Sequence, residues 1–279
     1  MFDPGIWPDI YLGTCRFGGR IGEFPMGQST TGRCGRNCPF ELLAGGGSVE
    51  PLVMDDVANA IQLFGRLLNS DDPGAENCAA EALWSAAKVT TRLRNQPCES
   101  VVSRGGIACV LSGAVRKYAI RANGQRQIVD VLIPGDFLGL AQSDPGFSLE
   151  AVSDGTQIAC FKKREIDKLA DTYPAIFELM QDRAADVIRR LENHLLVQGR
   201  ITAKEKVGAY LATMCRRIEH EPSEVPVLPI TRYDIADHLG LAVETVSRTI
   251  TALRRRGAIA LPSPRRVEIR DTAMMTDGL

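Results

Sequence analysis

The sequence gives little ground for a catalytic function. It has three histidines in 279 residues, His194, His220 and His238, widely scattered. No Ser-His-Asp order, metal-hydrolase motif or phosphate-binding glycine loop accompanies them, so an enzyme is not expected. Long apolar runs are missing as well: nothing approaches the roughly 20 residues that span a bilayer. The opening stretch MFDPGIWPDIYLGTC lacks the basic-then-apolar pattern of a secretory leader. A cytoplasmic protein without a membrane partner is the expectation. Charge of one sign is also absent, with 33 basic and 34 acidic residues and a net charge of −1. Any contact with a polyanion must therefore come from a local patch rather than a global field.

What is present is ordinary in bulk: 44% hydrophobic and 24% charged residues, as in globular chains. The length allows one large domain or two smaller ones. In a reducing compartment the eight cysteines read as thiols, redox groups or metal ligands rather than disulfides.

Residues 1–50 are rich in Gly and Arg and show no periodicity, which predicts a flexible, cysteine-containing tail. Residues 51–90 read as helical: Val57, Ile61, Phe64 and Leu68 recur at helical spacing, DDPG at 71–74 ends that helix, and an alanine-rich helix follows. Over 91–168 short apolar runs alternate with turn signals at Gly113, Asn123-Gly124, Pro134-Gly135-Asp136 and Asp154-Gly155, the pattern of a β-sandwich or roll. Residues 169–200 return to a helical period. There Phe177, Met180, Ala184, Val187 and Leu191 alternate by three and four, and the charged remainder of the helix favours a two-stranded dimer seam. His194 continues that seam.

Residues 201–279 carry the strongest signal. Thr231 and Asp234 have capping-box spacing ahead of a short helix to Leu239. Gly240 marks a turn, and a second helix runs from about Ala242 to Arg256 with Gly257 after it. AIAL and VEIR, joined by PSPRR, read as a two-stranded wing, completing a winged helix-turn-helix. Burying Val246, Ile250 and Leu253 leaves Glu244, Ser247 and Arg248 exposed together. Arginine can grip guanine O6 and N7, glutamate can accept from a cytosine amine, serine can serve either, and an apolar Val243 can lie against a thymine methyl. Thr245 flanks this set. Arg254, Arg265 and Arg266 lie where phosphates would be reached. His238, on the first helix, is expected to meet phosphate or solvent.

GQRQIVDVLIPGDFLGL, AVSDGTQIACFKKREIDKLA and RYDIADHLGLAVETVSRTITALRRRGAI together resemble the CRP/FNR family of bacterial transcription regulators, in its FNR/FixK-like branch, over about residues 105–270. The resemblance implies an α+β fold: an N-terminal β-roll of the cyclic-nucleotide-binding jelly-roll kind, a long dimerisation helix and a C-terminal winged helix-turn-helix. It implies a homodimer on double-stranded DNA at a palindrome of TTGAT, four free base pairs and ATCAA. It further implies RNA polymerase as a partner, and activation of genes for low-oxygen respiration, denitrification or nitrogen fixation. FNR-type members place a [4Fe-4S] cluster on four cysteines, which would here be Cys15, Cys34, Cys38 and Cys160, although the tail spacing is far looser than the family's. Cyclic AMP is not expected: the stretch GFSLEA offers Glu150 where the cyclic phosphate needs a buried cation. The competing expectation is a ligand- or redox-sensing roll whose helix-turn-helix mediates protein contacts.

Overall fold

The computed structural model describes residues 54–68, 73–99, 106–140, 146–218 and 226–276. The expected tail, with Cys15, Cys34 and Cys38, lies outside them. Two helices come first, α1 (Met54–Leu68) and α2 (Pro73–Ala86). Seven strands follow: β1 (Lys88–Arg92), β2 (Gly106–Ser112), β3 (Val115–Ile120), β4 (Arg126–Leu132), β5 (Phe137–Leu138), β6 (Ser148–Ala151) and β7 (Thr156–Lys162). They form two antiparallel sheets, ordered β1-β7-β2-β5 and β4-β3-β6. The expected turns join them, with Gly113, Gly124, Gly135 and Gly155 all at positive φ. Gly113 has a second constraint, since an added Cβ would lie 2.5 Å from Thr156 Oγ1.

The helical segment expected to reach residue 90 is shorter, and the roll begins at Lys88. Val89, Thr90 and Thr91 are three β-branched residues in a row, stiff at χ1 and better suited to a pleated strand. They pair with Ala159, Ile158 and Gln157.

Alternation along the strands divides the apolar residues between two sides of each sheet. Ala108, Val110, Leu132, Leu149 and Ile158 meet between the sheets. Ile107, Cys109, Ala159 and Phe161 point outward from the four-stranded sheet, where Phe64 of α1 and Leu83 of α2 cover them. Ile128 and Val131 point outward from the three-stranded sheet into the core of the C-terminal domain. Burial on both sides is why β2 reads GIACVLS, nearly continuous rather than alternating.

After β7 come α3 (Lys163–Thr172) and α4 (Pro174–Gln198). The single helix expected over 169–200 is thus two, broken at Tyr173, whose extended backbone (φ −122°, ψ 96°) precedes Pro174. Proline disfavours the helical region for the residue before it and is accommodated at a helix start. Then follow α5 (Ala203–Ile218), α6 (Arg232–Leu239), α7 (Val243–Arg255), the β8 (Ile259–Ala260) and β9 (Glu268–Ile269) hairpin, and α8 (Ala273–Thr276). Gly208 lets α5 and α8 touch, since a Cβ there would lie 2.2 Å from the Met275 carbonyl oxygen.

The C-terminal domain is tied to the roll through α6. Arg116 of β3 and Arg126 of β4 each donate to Asp234 Oδ1 at 2.9 Å. Arg116 also meets Glu150 of β6 at 2.6 Å, and Arg126 meets Asp237 at 2.8 Å. Gln127 donates to the Asp237 and His238 carbonyls at 2.8 and 3.1 Å. His238 is buried here, contrary to the expectation of a solvent or phosphate contact, because α6 lies against β4. His194, expected in the dimer seam, turns inward to meet it.

His238 Nδ1 lies 3.1 Å from the Ile128 carbonyl oxygen and must donate to it, so Nε2 accepts from His194 Nδ1, 3.0 Å away. This arrangement needs His238 neutral. Burial pushes His238 down from 6.5 to about 4, with His194 beside it and Arg217 of α5 lowering it further against the raising effect of Asp130 on β4. Burial lowers His194 as well.

A histidine lowered in the fold leaves stability complete above its unfolded value, near 6.5, and draws it down as pH falls toward the folded value. Thermal unfolding should therefore show a loss of about 3 kcal/mol from His238 between pH 6.5 and 4. His238→Gln should flatten that slope, whatever it does to the plateau above pH 7. An unchanged slope would show that His238 is not held neutral at this junction.

Candidate nucleic-acid interface

The interface is built on α6 and α7. Thr231 caps α6 with both halves of a capping box: its hydroxyl accepts from the Asp234 amide at 3.2 Å, and Asp234 Oδ2 accepts from the Thr231 amide at 3.0 Å. Gly240 then takes the left-handed conformation (φ 66°, ψ 38°), which a side chain would resist. The Leu241 amide bonds back to the Ala236 carbonyl at 3.0 Å, closing the turn.

On α7, Val246, Ile250 and Leu253 are buried. That stripe fixes the helix's rotation and turns Glu244 and Arg248 out to solvent, with Ser247 half-exposed between them. Neither Glu244 nor Arg248 has an ion-pair partner among the described residues, so an i,i+4 pair does not consume them. Thr251, whose hydroxyl donates to the Ser247 carbonyl at 2.9 Å, extends the face. With Ser247, Arg248 and Arg255 it lines a shallow concavity. Helical spacing from Ser247 and Arg248 reaches Thr251 and Arg255, which is the signal that could have added Thr251 to the expected set.

Val243 and Thr245 are half-buried, and Val243 packs against the domain core. Arg254, Arg265 and Arg266 are exposed, the latter two at the tip between β8 and β9. The wing has a further edge that sequence did not suggest: Leu228 donates to the Arg265 carbonyl at 2.8 Å, and Val267 to the Pro226 carbonyl at 3.1 Å.

The remaining expected sites lie elsewhere. Cys160 is half-buried on β7, with its thiol 3.8 Å from Thr90 Oγ1 and donating to the Ile158 carbonyl at 3.7 Å. Burial raises its pKa. Glu150 is committed to Arg116 in the junction. On α4, Phe177 and Leu191 are 55% and 43% exposed, but Met180 packs into the chain's own core and Val187 is half-buried. The exposed apolar residues that accompany Phe177 and Leu191 are Ile188, Leu195 and Leu196, at 58%, 70% and 70%.

On the second helix of a helix-turn-helix, α7 thus presents exposed Glu244 and Arg248 with half-exposed Ser247, set by its buried stripe. Residues 205–277 match the Crp-like helix-turn-helix domain family. The chain is 38% identical over 186 residues to the nitrogen fixation regulation protein FixK of Bradyrhizobium diazoefficiens, spanning 66% of this chain and 72% of that one. It is 29% identical over 211 residues to the transcriptional activator protein FnrL of Cereibacter sphaeroides, spanning 72% and 85%. Among solved structures, FixK2 from Bradyrhizobium japonicum superposes with a TM-score of 0.58 at 29% identity, covering 68% of this chain and 95% of that one. The chain belongs to the CRP/FNR family of transcription regulators, in its FixK-like branch.

Proposed function

We propose that this DNA-binding regulator acts as a cytoplasmic homodimer that reads a TTGAT-n-ATCAA-like palindrome with Glu244, Ser247 and Arg248 of each copy. The observation that carries this reading is the joint exposure of the three side chains on the free face of α7. Glu244 accepts from a cytosine amine and Arg248 donates to the guanine of a C·G pair in each half-site. Arg254, Arg265 and Arg266 hold the phosphates and set the register. Val243, packed at the edge of the core, offers a methyl contact in place of a guanine donor. Relatives bearing the name of activator support RNA polymerase as the second macromolecular partner, and FixK relatives support nitrogen-fixation and low-oxygen genes as targets.

The dimer contact runs along α4 in a register one residue removed from the expected seam. Phe177, Ala184 and Leu191 keep their places, but their companions are Ile188 and Leu195 instead of Met180 and Val187. Positions 177, 184, 188, 191 and 195 preserve the three-and-four spacing of a coiled-coil stripe. Two apolar stripes share this helix. Ile176, Leu179 and Val197 hold the inner one against the chain's own core, leaving the outer one for a second copy.

Of the four cysteines a cluster would need, only Cys160 lies among the described residues, half-buried with its thiol on the Ile158 carbonyl. No part of the proposed function is routed through iron.

Ile188→Asp should convert the dimer to a folded monomer in sedimentation, with strongly weakened operator binding. A persistent dimer would refute the α4 contact. Arg248→Ala should cost about 1–3 kcal/mol per half-site and relax discrimination at the contacted guanine. Competition binding at fixed salt is the measurement, because phosphate contacts shift with ionic strength. Equal losses on matched and mismatched half-sites would remove Arg248 from base reading.

A further inference from the structure

The junction between the roll and the helix-turn-helix holds a partly open cleft of about 480 Å³. Its walls are β4 and the turn after it, the inner face of α4, and α5, with His238 of α6 at one side. It lies outside the space between the sheets: Leu132 points into that space, whereas Val131 and Ile133, which line the cavity, belong to the opposite side of the sheet. The volume is that of a small-molecule site.

Five arginines and three aspartates line the cavity, an excess of positive charge in a protein of net charge −1. Most of the carboxylate capacity is already used. Asp136 receives Arg190 at 3.2 Å and Arg217 at 2.5 Å, Asp130 receives Arg190 at 3.0 Å, and Asp186 receives Arg183 at 3.0 Å. Arg216 has no carboxylate partner among the described residues and donates only to the Ala212 carbonyl on its own helix, at 3.3 Å.

Three lining residues also retain a buried polar atom with no hydrogen-bond partner: Arg183 Nε, Arg190 through one terminal nitrogen, and the Tyr210 hydroxyl. Tyr210 is only 5% exposed. Buried donors are costly to leave unmade.

We propose that this cavity binds a small organic dianion, a dicarboxylate or a phosphate monoester, held by Arg183, Arg190 and Arg216 with the Tyr210 hydroxyl as a fixed donor. Guanidinium groups bind carboxylate and phosphate oxygens through paired hydrogen bonds. Arg183 and Arg190 come from α4, and Tyr210 and Arg216 from α5, so the ligand bridges the long helix and the first helix of the DNA-binding domain. Occupancy therefore favours the junction described above over any arrangement that separates those helices.

Calorimetry and thermal unfolding on the full chain without DNA test this independently of operator recognition. The probes are succinate and glycerol 3-phosphate, with neutral succinamide as the control. The expected result is saturable binding of at least one anion with a raised unfolding midpoint, and no effect of succinamide; which anion binds more tightly identifies the headgroup. Tyr210→Phe should leave the midpoint of the ligand-free protein unchanged or higher, since no hydrogen bond is lost, while weakening binding roughly threefold to tenfold. Arg183→Gln should weaken it by about tenfold or more. The proposal is overturned if neither anion binds saturably up to ~10 mM, if succinamide does as well, or if affinity survives both substitutions.

Discussion

Asp234 is the residue on which the two halves of the molecule depend. One of its oxygens takes Arg116 and Arg126 from the roll, and the other takes the Thr231 amide and hydroxyl. The same carboxylate therefore starts α6 and docks it. It is 2% exposed, and a buried charge of this kind is tolerable only when its oxygens are fully engaged. Removing either arginine would leave the carboxylate buried with fewer partners, and removing Asp234 would leave Arg116 with Glu150 and Arg126 with Asp237 as their remaining close carboxylates. The network adds less to net stability than its contacts suggest, because burial cost offsets much of the attraction. What it fixes is position.

That position is reinforced by apolar packing. Ile128, Val131 and Ile133 of the roll share one continuous core with Val246, Ile250 and Leu253 of the recognition helix and Leu211 of α5. The three-stranded sheet thus has no separate covering layer of helices; the DNA-binding domain is its cover. The four-stranded sheet is treated differently, with α1 and α2 laid across it. Displacing the helix-turn-helix would expose the outer surface of the smaller sheet at roughly 25 cal/mol per Å² of apolar area. A change inside the roll reaches α7 through shared side chains rather than through a linker.

Much of this was legible in the sequence because its causes are local. Asn123-Gly124 and Asp154-Gly155 demand turns wherever they fall, and the Thr231–Asp234 spacing specifies a helix start without reference to anything distant. The exposed trio on α7 follows from the spacing of its buried stripe. The misreadings share a different cause. Val187 and Ile188 are adjacent and both apolar, and spacing along the helix does not show that Val187 is the half-buried one. His238 reads as a surface residue on a short polar helix until β4 lies over it. Lys88 to Thr90 reads as the end of a helical segment until β7 offers a strand to pair with. In each case the deciding partner lies dozens of residues away, and periodicity within a window cannot report it.

The near-zero net charge has the same lesson at the scale of the molecule. A regulator that must bind a polyanion needs positive potential where the helix meets the groove, and only there. Arg254, Arg255 and Arg256 at the end of α7 and Arg265 and Arg266 on the wing supply it on one side of the C-terminal domain. The arginines of the junction are directed inward against aspartates and do not add to that surface. Segregating the two sets keeps nonspecific attraction to DNA modest while leaving the recognition face fully charged. On the proposed reading, discrimination then rests on the base edges that Glu244 and Arg248 reach, and on the angle at which the roll holds the helix that carries them.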